Sequence, residues 1–206
     1  MFKDRIEAAE LLSKKLTSYS NNKDVVVVTI PRGGVPIGKK ISQYLNAPLE
    51  LVLSKKIGHP FHKEFAIGAV TLTERILSPE AADAPKEYIN QETERIRELL
   101  SKRYEMFYND RKPMDLVKKI IIIVDDGVAT GNTLISCIKL LKKKNPKKII
   151  VALPVSPPGT LKIIKDLQEV NEVICLLTPK DFFAVGQFYE DFRPVSDDEV
   201  VALLNS

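Results

Sequence analysis

The chain contains short, almost continuous runs of β-branched and aliphatic residues, separated by longer stretches in which apolar residues recur at helical spacing. The runs occupy residues 25–30, 49–53, 120–124, 149–153 and 173–177. Runs of this length without polar alternation are typical of strands buried on both faces, as in a parallel sheet. A weaker run predicts another strand at residues 65–72, and the polar residues 54–64 predict a loop.

The stretches between these runs predict helices. The first helix carries one apolar face made of Phe2, Ile6, Ala9, Leu12, Leu16 and Tyr19. A long helix, beginning near Asp83 and Pro85, carries another face made of Ile89, Thr93, Ile96, Leu100, Arg103 and Phe107. Further helices are predicted up to Leu45, at residues 132–144 and 161–167, and from Ser196, where Glu199 completes a capping box. Strands alternating with helices predict an α/β fold, a five-stranded parallel sheet flanked by helices in one domain over residues 1–206.

Composition narrows the class of protein. The sequence lacks an apolar stretch long enough to span a membrane, and the charged N-terminal residues argue against a secretory signal. Cys137 and Cys175 lie in apolar segments, which predicts buried, reduced thiols in a cytoplasmic protein. His59 and His62 are interpreted as loop histidines rather than metal ligands. The net charge of +4 comes largely from lysines at residues 142–148, interpreted as a solvated helix end, so nucleic acid is not an expected partner.

The candidate chemistry lies directly after the run at residues 120–124, where two carboxylates, Asp125 and Asp126, precede a loop with two glycines and two threonines. In parallel sheets, ligands bind beyond the carboxyl ends of strands. The start of the next helix offers unpaired N–H groups to a phosphate. Two adjacent carboxylates would instead repel a phosphate, but they suit the vicinal hydroxyls of a sugar, or Mg²⁺. A turn followed by a capped helix would explain any one of these residues, but not their combination.

This segment resembles the phosphoribosyl pyrophosphate motif of the type I phosphoribosyltransferases. Asp125, Asp126, Thr130, Gly131 and Thr133 occupy its defining positions. The resemblance implies that the two aspartates hold the ribose hydroxyls and contribute to catalysis, with Mg²⁺ as cofactor. It also implies a phosphoribosyl pyrophosphate site whose residues in this loop are Asp125, Asp126, Gly127, Val128, Ala129, Thr130, Gly131, Asn132 and Thr133.

Two further elements follow from the same resemblance. The family places a pyrophosphate loop after its first sheet strand, which here is Arg32, Gly33 and Gly34. Arg32 can bridge phosphate oxygens in bidentate fashion, which would stabilise the departing charge, and the two glycines would free backbone N–H groups for the anion. A basic residue after the second strand, either Lys55 or Lys56, is the other candidate for pyrophosphate, and the loop after it is expected to close over the site.

The whole chain resembles an uncharacterised subgroup of predicted phosphoribosyltransferases, with a small hood region expected at residues 54–110 and 178–206. The expected function is transfer of ribose 5-phosphate from phosphoribosyl pyrophosphate to a nitrogenous base, by a homodimer. Ala129 stands where 6-oxopurine enzymes carry an acid, which disfavours hypoxanthine and guanine and leaves adenine and orotate. Two alternatives remain: a non-catalytic regulator that binds phosphoribosyl pyrophosphate or a nucleotide, and, less favoured, a phospho-acceptor signalling domain. The aromatic tail, with Phe183 and Phe192, either stacks on a base or forms a hydrophobic cluster.

Overall fold

The structure is a computed structural model that describes residues 1–63, 65–108 and 112–206. Within these residues the strands are, in chain order, β1 (Val25–Thr29), β2 (Leu49–Leu51), β3 (Lys55–Gly58), β4 (Ala66–Val70), β5 (Arg75–Leu77), β6 (Ile120–Val124), β7 (Lys148–Val155) and β8 (Glu172–Leu177). The α-helices are α1 (Arg5–Lys15), α2 (Gly34–Leu45), α3 (Lys86–Tyr108), α4 (Asn132–Lys142), α5 (Pro158–Lys165) and α6 (Asp197–Asn205). None of the helices in these ranges is both long and apolar enough to cross a membrane.

The main sheet confirms the predicted fold class. Within the described residues, five parallel strands are ordered β2-β1-β6-β7-β8. Alternate side chains of each strand point to opposite faces, so Val25 and Val27 join the core under α1 and α2, whereas Val26 and Val28 join the core under α4. Both faces are covered, which explains why the strands read as continuous apolar runs.

A second, antiparallel sheet follows the main sheet's edge strand, with its strands in the order β3-β4-β5; we call it the hood sheet. The predicted loop at residues 54–64 was therefore wrong where β3 forms, and β5 was missed. Both strands are short: of β3 only Ile57 and Gly58 are buried, and β5 has no buried residue. The predicted strand at residues 65–72 is confirmed as β4. Glu64, and residues 109 and 110 of the expected hood region, lie outside the described residues.

The buried face of α1 differs from the predicted one. Ile6 is 42% exposed, whereas the buried residues include Arg5, Ala8, Ala9 and Leu12. The helix begins only at Arg5 because Asp4 caps it, its side chain accepting from two backbone N–H groups. Phe2, predicted within this helix, instead forms a parallel bridge with Tyr189 of the tail.

The lysines after α4 hold the hood sheet rather than forming a wholly solvated helix end. The Lys143 ammonium donates to the carbonyl of Arg75 at 2.6 Å, and that of Lys144 donates to the Thr73 hydroxyl at 2.7 Å. Lys144 also pairs with Glu74 at 3.2 Å. These contacts join the β4–β5 hairpin to the C-terminal end of α4.

Candidate functional site

The site begins where two neighbouring strands end at the same level. The register of β1 against β6 pairs Thr29 with Val124, and the Ile30 amide continues this ladder by donating to the Val124 carbonyl at 3.1 Å. The loop of residues 31–34 therefore leaves β1 beside Asp125 and Asp126. The structure thus brings the predicted pyrophosphate loop and the predicted ribose acceptors into direct contact.

Two glycines make this contact possible. A Cβ on Gly33 would lie 1.9 Å from Asp126 Oδ2, and a Cβ on Gly34 would lie 2.9 Å from the Val124 carbonyl oxygen. The sequence interpretation assigned both glycines to exposing N–H groups for an anion. The Gly34 amide instead donates to the Ile30 carbonyl at 3.2 Å. Close approach to the acid pair is therefore the first reason for glycine at both positions.

The Asp126 carboxylate is held by an arginine that sequence reasoning missed. Arg5 donates from Nε and Nη2 to Asp126 Oδ2, at 3.0 and 2.8 Å, and from Nη1 to the Arg193 carbonyl at 2.9 Å. Its guanidinium carbon lies 4.0 Å from the centre of the Phe192 ring. Arg5 is a charged residue at the start of a buried helix face that continues with Ala8, and this anomaly is the sequence signal that could have revealed it.

Burial sets the electrostatics of the acid pair. Desolvation raises the pKa of the Asp125 carboxyl well above its usual range, and the neighbouring Asp126 raises it further. Desolvation also raises the pKa of Asp126, while the hydrogen bonds from Arg5 oppose that rise. Asp125 Oδ1 accepts the backbone N–H of Asp126 at 2.9 Å, and the Tyr189 hydroxyl donates to the Asp126 carbonyl at 2.6 Å. Both the backbone and the side chain of Asp126 are thus fixed.

The loop between the acid pair and α4 is fixed at Val128 and at the Ala129 carbonyl, and its exposed part follows these two bonds. The Val128 amide donates to the Val155 carbonyl at 3.0 Å, and the Thr160 hydroxyl donates to the Ala129 carbonyl at 2.6 Å. Gly131 has a left-handed backbone with φ of 83°, which favours glycine, and no side chain caps the helix that follows. The exposed residues of this segment are Ala129, Thr130, Asn132 and Thr133. This arrangement leaves first-turn N–H groups and two hydroxyls for an anion.

A cavity of about 780 Å³ lies between this helix start and the hood sheet. It is lined by Ser54, Lys55, Lys56, Phe65, Ala66, Gly68, Ala69, Ile76, Leu77, Ser78, Glu80, Asn132, Thr133, Ile135, Ser136 and Lys139. The cavity therefore unites the predicted phosphate residues Asn132 and Thr133 with both candidate lysines. The Asp125 and Asp126 carboxylates and Arg32 lie outside its lining. Arg32 is directed to Asp197 at the start of α6, with 3.8 Å between Nη1 and Oδ1.

The sheet register separates the two lysines. Lys55 pairs with Val70, and Val70 pairs with Arg75, so the three side chains share one face of the hood sheet. Arg75 donates to Thr93 of α3 at 3.2 Å, which identifies this as the face toward α3. Since neighbouring residues of a strand point to opposite faces, Lys56 lies on the face away from α3.

The predicted histidine pair and cysteines play no part in this arrangement. The rings of His59 and His62 stack 6.0 Å apart, and no group of three or more potential metal ligands occurs among residues 1–63, 65–108 and 112–206. Cys137 is buried and Cys175 half-buried, both as free thiols. Burial raises the pKa of the Cys137 thiol to about 12, so it is protonated at neutral pH.

Comparison with known proteins shows similarity along the whole chain. Residues 3–192 match the family described as the phosphoribosyl transferase domain. The chain is 36% identical, over 211 aligned residues, to a Mycobacterium tuberculosis protein named "Putative phosphoribosyl transferase"; the alignment covers 100% of this chain and 46% of that protein. The chain thus spans about half the length of this curated relative.

Two further similarities are informative. The crystal structure of TT1426 from Thermus thermophilus superposes with a TM-score of 0.87 at 35% identity, covering 98% of this chain and 97% of that one. A uracil phosphoribosyltransferase from Sulfurisphaera tokodaii is 32% identical over 77 residues, which cover 37% of this chain and 35% of that protein. The fold similarity to TT1426 therefore extends over the hood sheet and the tail as well as the main sheet.

Proposed function

Because this chain belongs to the phosphoribosyl transferase domain family, we propose that it transfers ribose 5-phosphate from phosphoribosyl pyrophosphate to a nitrogenous acceptor and releases pyrophosphate. The observation that carries this proposal is the contact between the glycine loop after β1 and the acid pair after β6. A sugar that carries both a pyrophosphate and free vicinal hydroxyls would need these two sets of groups side by side.

The proposed roles follow from the geometry of the site. Asp125 and Asp126 accept hydrogen bonds from the ribose hydroxyls, which carboxylates do well. The backbone and hydroxyls of residues 129–133 bind the 5-phosphate at the uncapped start of α4. The pyrophosphate is bound by the loop of residues 31–34, with Lys56 as the candidate lysine because it lies on the hood-sheet face away from α3.

Arg32 can reach pyrophosphate only by leaving Asp197. The two side chains are 44% and 37% exposed, and 3.8 Å separates their charged atoms. An exposed pair of this kind contributes about 0–1 kcal/mol. Exchange of Asp197 for pyrophosphate oxygens therefore costs little, and a bidentate contact to phosphate would more than offset it.

The proposed reaction displaces pyrophosphate from C1 of the sugar by a nitrogen nucleophile, through a transition state with oxocarbenium character. Arg32 and Lys56 would stabilise the charge that develops on the departing pyrophosphate. The two carboxylates would fix the ring and favour positive charge near it. The oxygen donors of Asp125 and Asp126 fit a Mg²⁺ ion held mainly through substrate oxygens and water, which would neutralise phosphate charge.

The acceptor is the open part of the proposal. Ala129 presents no side-chain acid, and its carbonyl is engaged by Thr160, so a 6-oxopurine is the least favoured class. The similarity over 77 residues to a uracil phosphoribosyltransferase adds uracil to adenine and orotate as candidates. Homodimer formation and a cytoplasmic location remain expectations from the family, for sedimentation and cell fractionation to test.

The test has two parts. Pyrophosphate release is measured with phosphoribosyl pyrophosphate, Mg²⁺ and a panel of adenine, orotate, uracil, hypoxanthine and guanine. Binding of phosphoribosyl pyrophosphate is measured by calorimetry for the wild type, the Asp125→Ala/Asp126→Ala variant and, as control, Asp166→Ala, which removes an exposed carboxylate at the end of α5. Loss of two charged hydrogen bonds should weaken binding by roughly 3–6 kcal/mol.

The outcomes separate the candidate functions. Pyrophosphate release with one base supports transfer of ribose 5-phosphate to that base, provided that the double variant abolishes the release and Asp166→Ala retains it. Tight binding without release for any base would favour the non-catalytic regulator. Equal affinity of the wild type and the double variant would refute the ribose assignment.

A further inference from the structure

Arg5 has all parts of its guanidinium engaged. Nε and Nη2 donate to Asp126 Oδ2, Nη1 donates to the Arg193 carbonyl, and the Phe192 ring lies against one face. The side chain is only 10% exposed. An arginine this confined has lost its rotamer freedom, which costs free energy that a purely structural residue at this position need not lose.

The choice of partner makes Arg5 more than a fold-stabilising residue. A buried ion pair stabilises a fold weakly or not at all compared with apolar packing. Arg5 nonetheless extends from a helix of otherwise mostly apolar buried residues to one carboxylate of the proposed ribose site. Both of its contacts use Oδ2, so the guanidinium does not occupy Oδ1 of the same carboxylate.

The support for this carboxylate comes from both ends of the described chain. The Phe2 amide donates to the Phe188 carbonyl at 2.7 Å, and the Asp191 amide donates to the Lys3 carbonyl at 2.9 Å. These bonds fix the start of α1 against the tail, which also supplies Phe192 to Arg5 and the Tyr189 hydroxyl to the Asp126 backbone. The carboxylate is thus oriented before any ligand arrives, which lowers the entropic cost of binding.

From this geometry we infer that Arg5 is a positioning residue for ribose binding: it holds the Asp126 carboxylate by one oxygen and so orients the other oxygen toward a sugar hydroxyl. The inference rests on the proposed function. Its support is geometric, because the two hydrogen bonds to Oδ2, the bond to the Arg193 carbonyl and the Phe192 ring together fix the guanidinium in place.

The test compares Arg5→Gln and Arg5→Lys with Arg95→Gln, which breaks an exposed arginine–glutamate pair on α3 with 2.6 Å between its charged atoms. Affinity for phosphoribosyl pyrophosphate is measured by calorimetry, and folding by circular dichroism. Arg5→Gln should bind about 10- to 100-fold more weakly, the loss expected for one charged hydrogen-bond partner.

Arg5→Lys keeps the charge but loses one of the two nitrogen contacts to Asp126, so it should restore part of the affinity that Arg5→Gln loses. If Arg5→Gln does not fold, Phe192→Leu gives the second test: it keeps the arginine, removes the ring beside it and should still weaken binding several-fold. Wild-type protein that does not bind phosphoribosyl pyrophosphate would refute the proposed function itself. Wild-type binding that is matched by the Arg5→Gln or Phe192→Leu variant would refute only the role of Arg5.

Discussion

Substitution of Gly33 by alanine is the sharpest test of the contact between the pyrophosphate loop and the acid pair. Gly33 has helical dihedral angles, φ of −59° and ψ of −33°, so its backbone would accept alanine without strain. The lower conformational entropy of the unfolded chain alone therefore predicts a gain of about 0.4–1 kcal/mol in the free energy of unfolding. The surroundings predict the opposite sign, because the added Cβ would lie 1.9 Å from Asp126 Oδ2 and 2.6 Å from its Cγ.

The size of the effect follows from what must move. To reach an ordinary contact of 3.4 Å the carboxylate oxygen must shift by about 1.5 Å, and that oxygen is the atom that Arg5 contacts at 2.8 and 3.0 Å. Overpacking costs about 1–3 kcal/mol. Weakening a charged hydrogen bond costs about 1.5–3 kcal/mol more. Allowing for that gain, we expect Gly33→Ala to lower the free energy of unfolding by about 1.5–5.5 kcal/mol.

The chain offers a matched control in Gly159, a helical glycine of α5 whose added Cβ would meet nothing within 4 Å. Gly159→Ala should raise stability by about 0.4–1 kcal/mol. Urea denaturation of both variants measures the difference, and calorimetry should show phosphoribosyl pyrophosphate binding weakened only in Gly33→Ala. A Gly33→Ala protein as stable as Gly159→Ala, with wild-type affinity, would show that the loop and the acid pair are not in contact.

The same site supports three further predictions. Burial and the adjacent Asp126 raise the folded-state pKa of Asp125 above 3.8, so the folded protein favours the protonated carboxyl and the free energy of unfolding falls as pH rises through that pKa. Asp125→Asn removes this loss, so it should raise the melting temperature more at pH 8 than at pH 5 while weakening substrate binding. An equal rise at both pH values would contradict this. Lys56→Ala should weaken pyrophosphate binding in calorimetry more than Lys55→Ala, and the reverse order would reassign the lysine. Thr160→Val leaves the Ala129 carbonyl without its hydroxyl donor, so urea denaturation should show the free energy of unfolding lowered by about 0.5–1.5 kcal/mol. An unchanged free energy of unfolding would show that this hydrogen bond does not contribute to stability.

The parts of the fold that sequence predicted well are those with local signals. β6 was predicted with its observed bounds, because five consecutive aliphatic residues end at two carboxylates. The capping of α6 by Ser196 is likewise confirmed, the hydroxyl accepting from the Glu199 amide at 3.1 Å. The reciprocal half of the predicted capping box does not form, because the Glu199 carboxylate binds Arg193 instead. In both cases the determining interactions lie within a few residues of the sequence.

The parts that sequence missed depend on contacts between distant residues. β5 has three residues and no apolar run, so only its pairing with β4 defines it. The proximity of Gly33 to Asp126 follows from the register of β1 on β6, which no local pattern encodes. Arg5 reaches its partner across 121 positions of the chain. The apolar spacing of α1 placed Ile6 rather than Arg5 on the buried face, so neither the burial of Arg5 nor its partner was predicted.

The register of β1 on β6 also determines how far apart the two proposed binding loops can be. Each loop leaves a strand that is hydrogen-bonded to the other at the last paired residues, Thr29 and Val124. Neighbouring strands lie about 4.8 Å apart, a spacing set by backbone hydrogen bonds rather than by side chains. The sheet therefore fixes the separation that a ligand bound by both loops must match. Substitutions in either loop can change which groups contact the ligand without changing that separation.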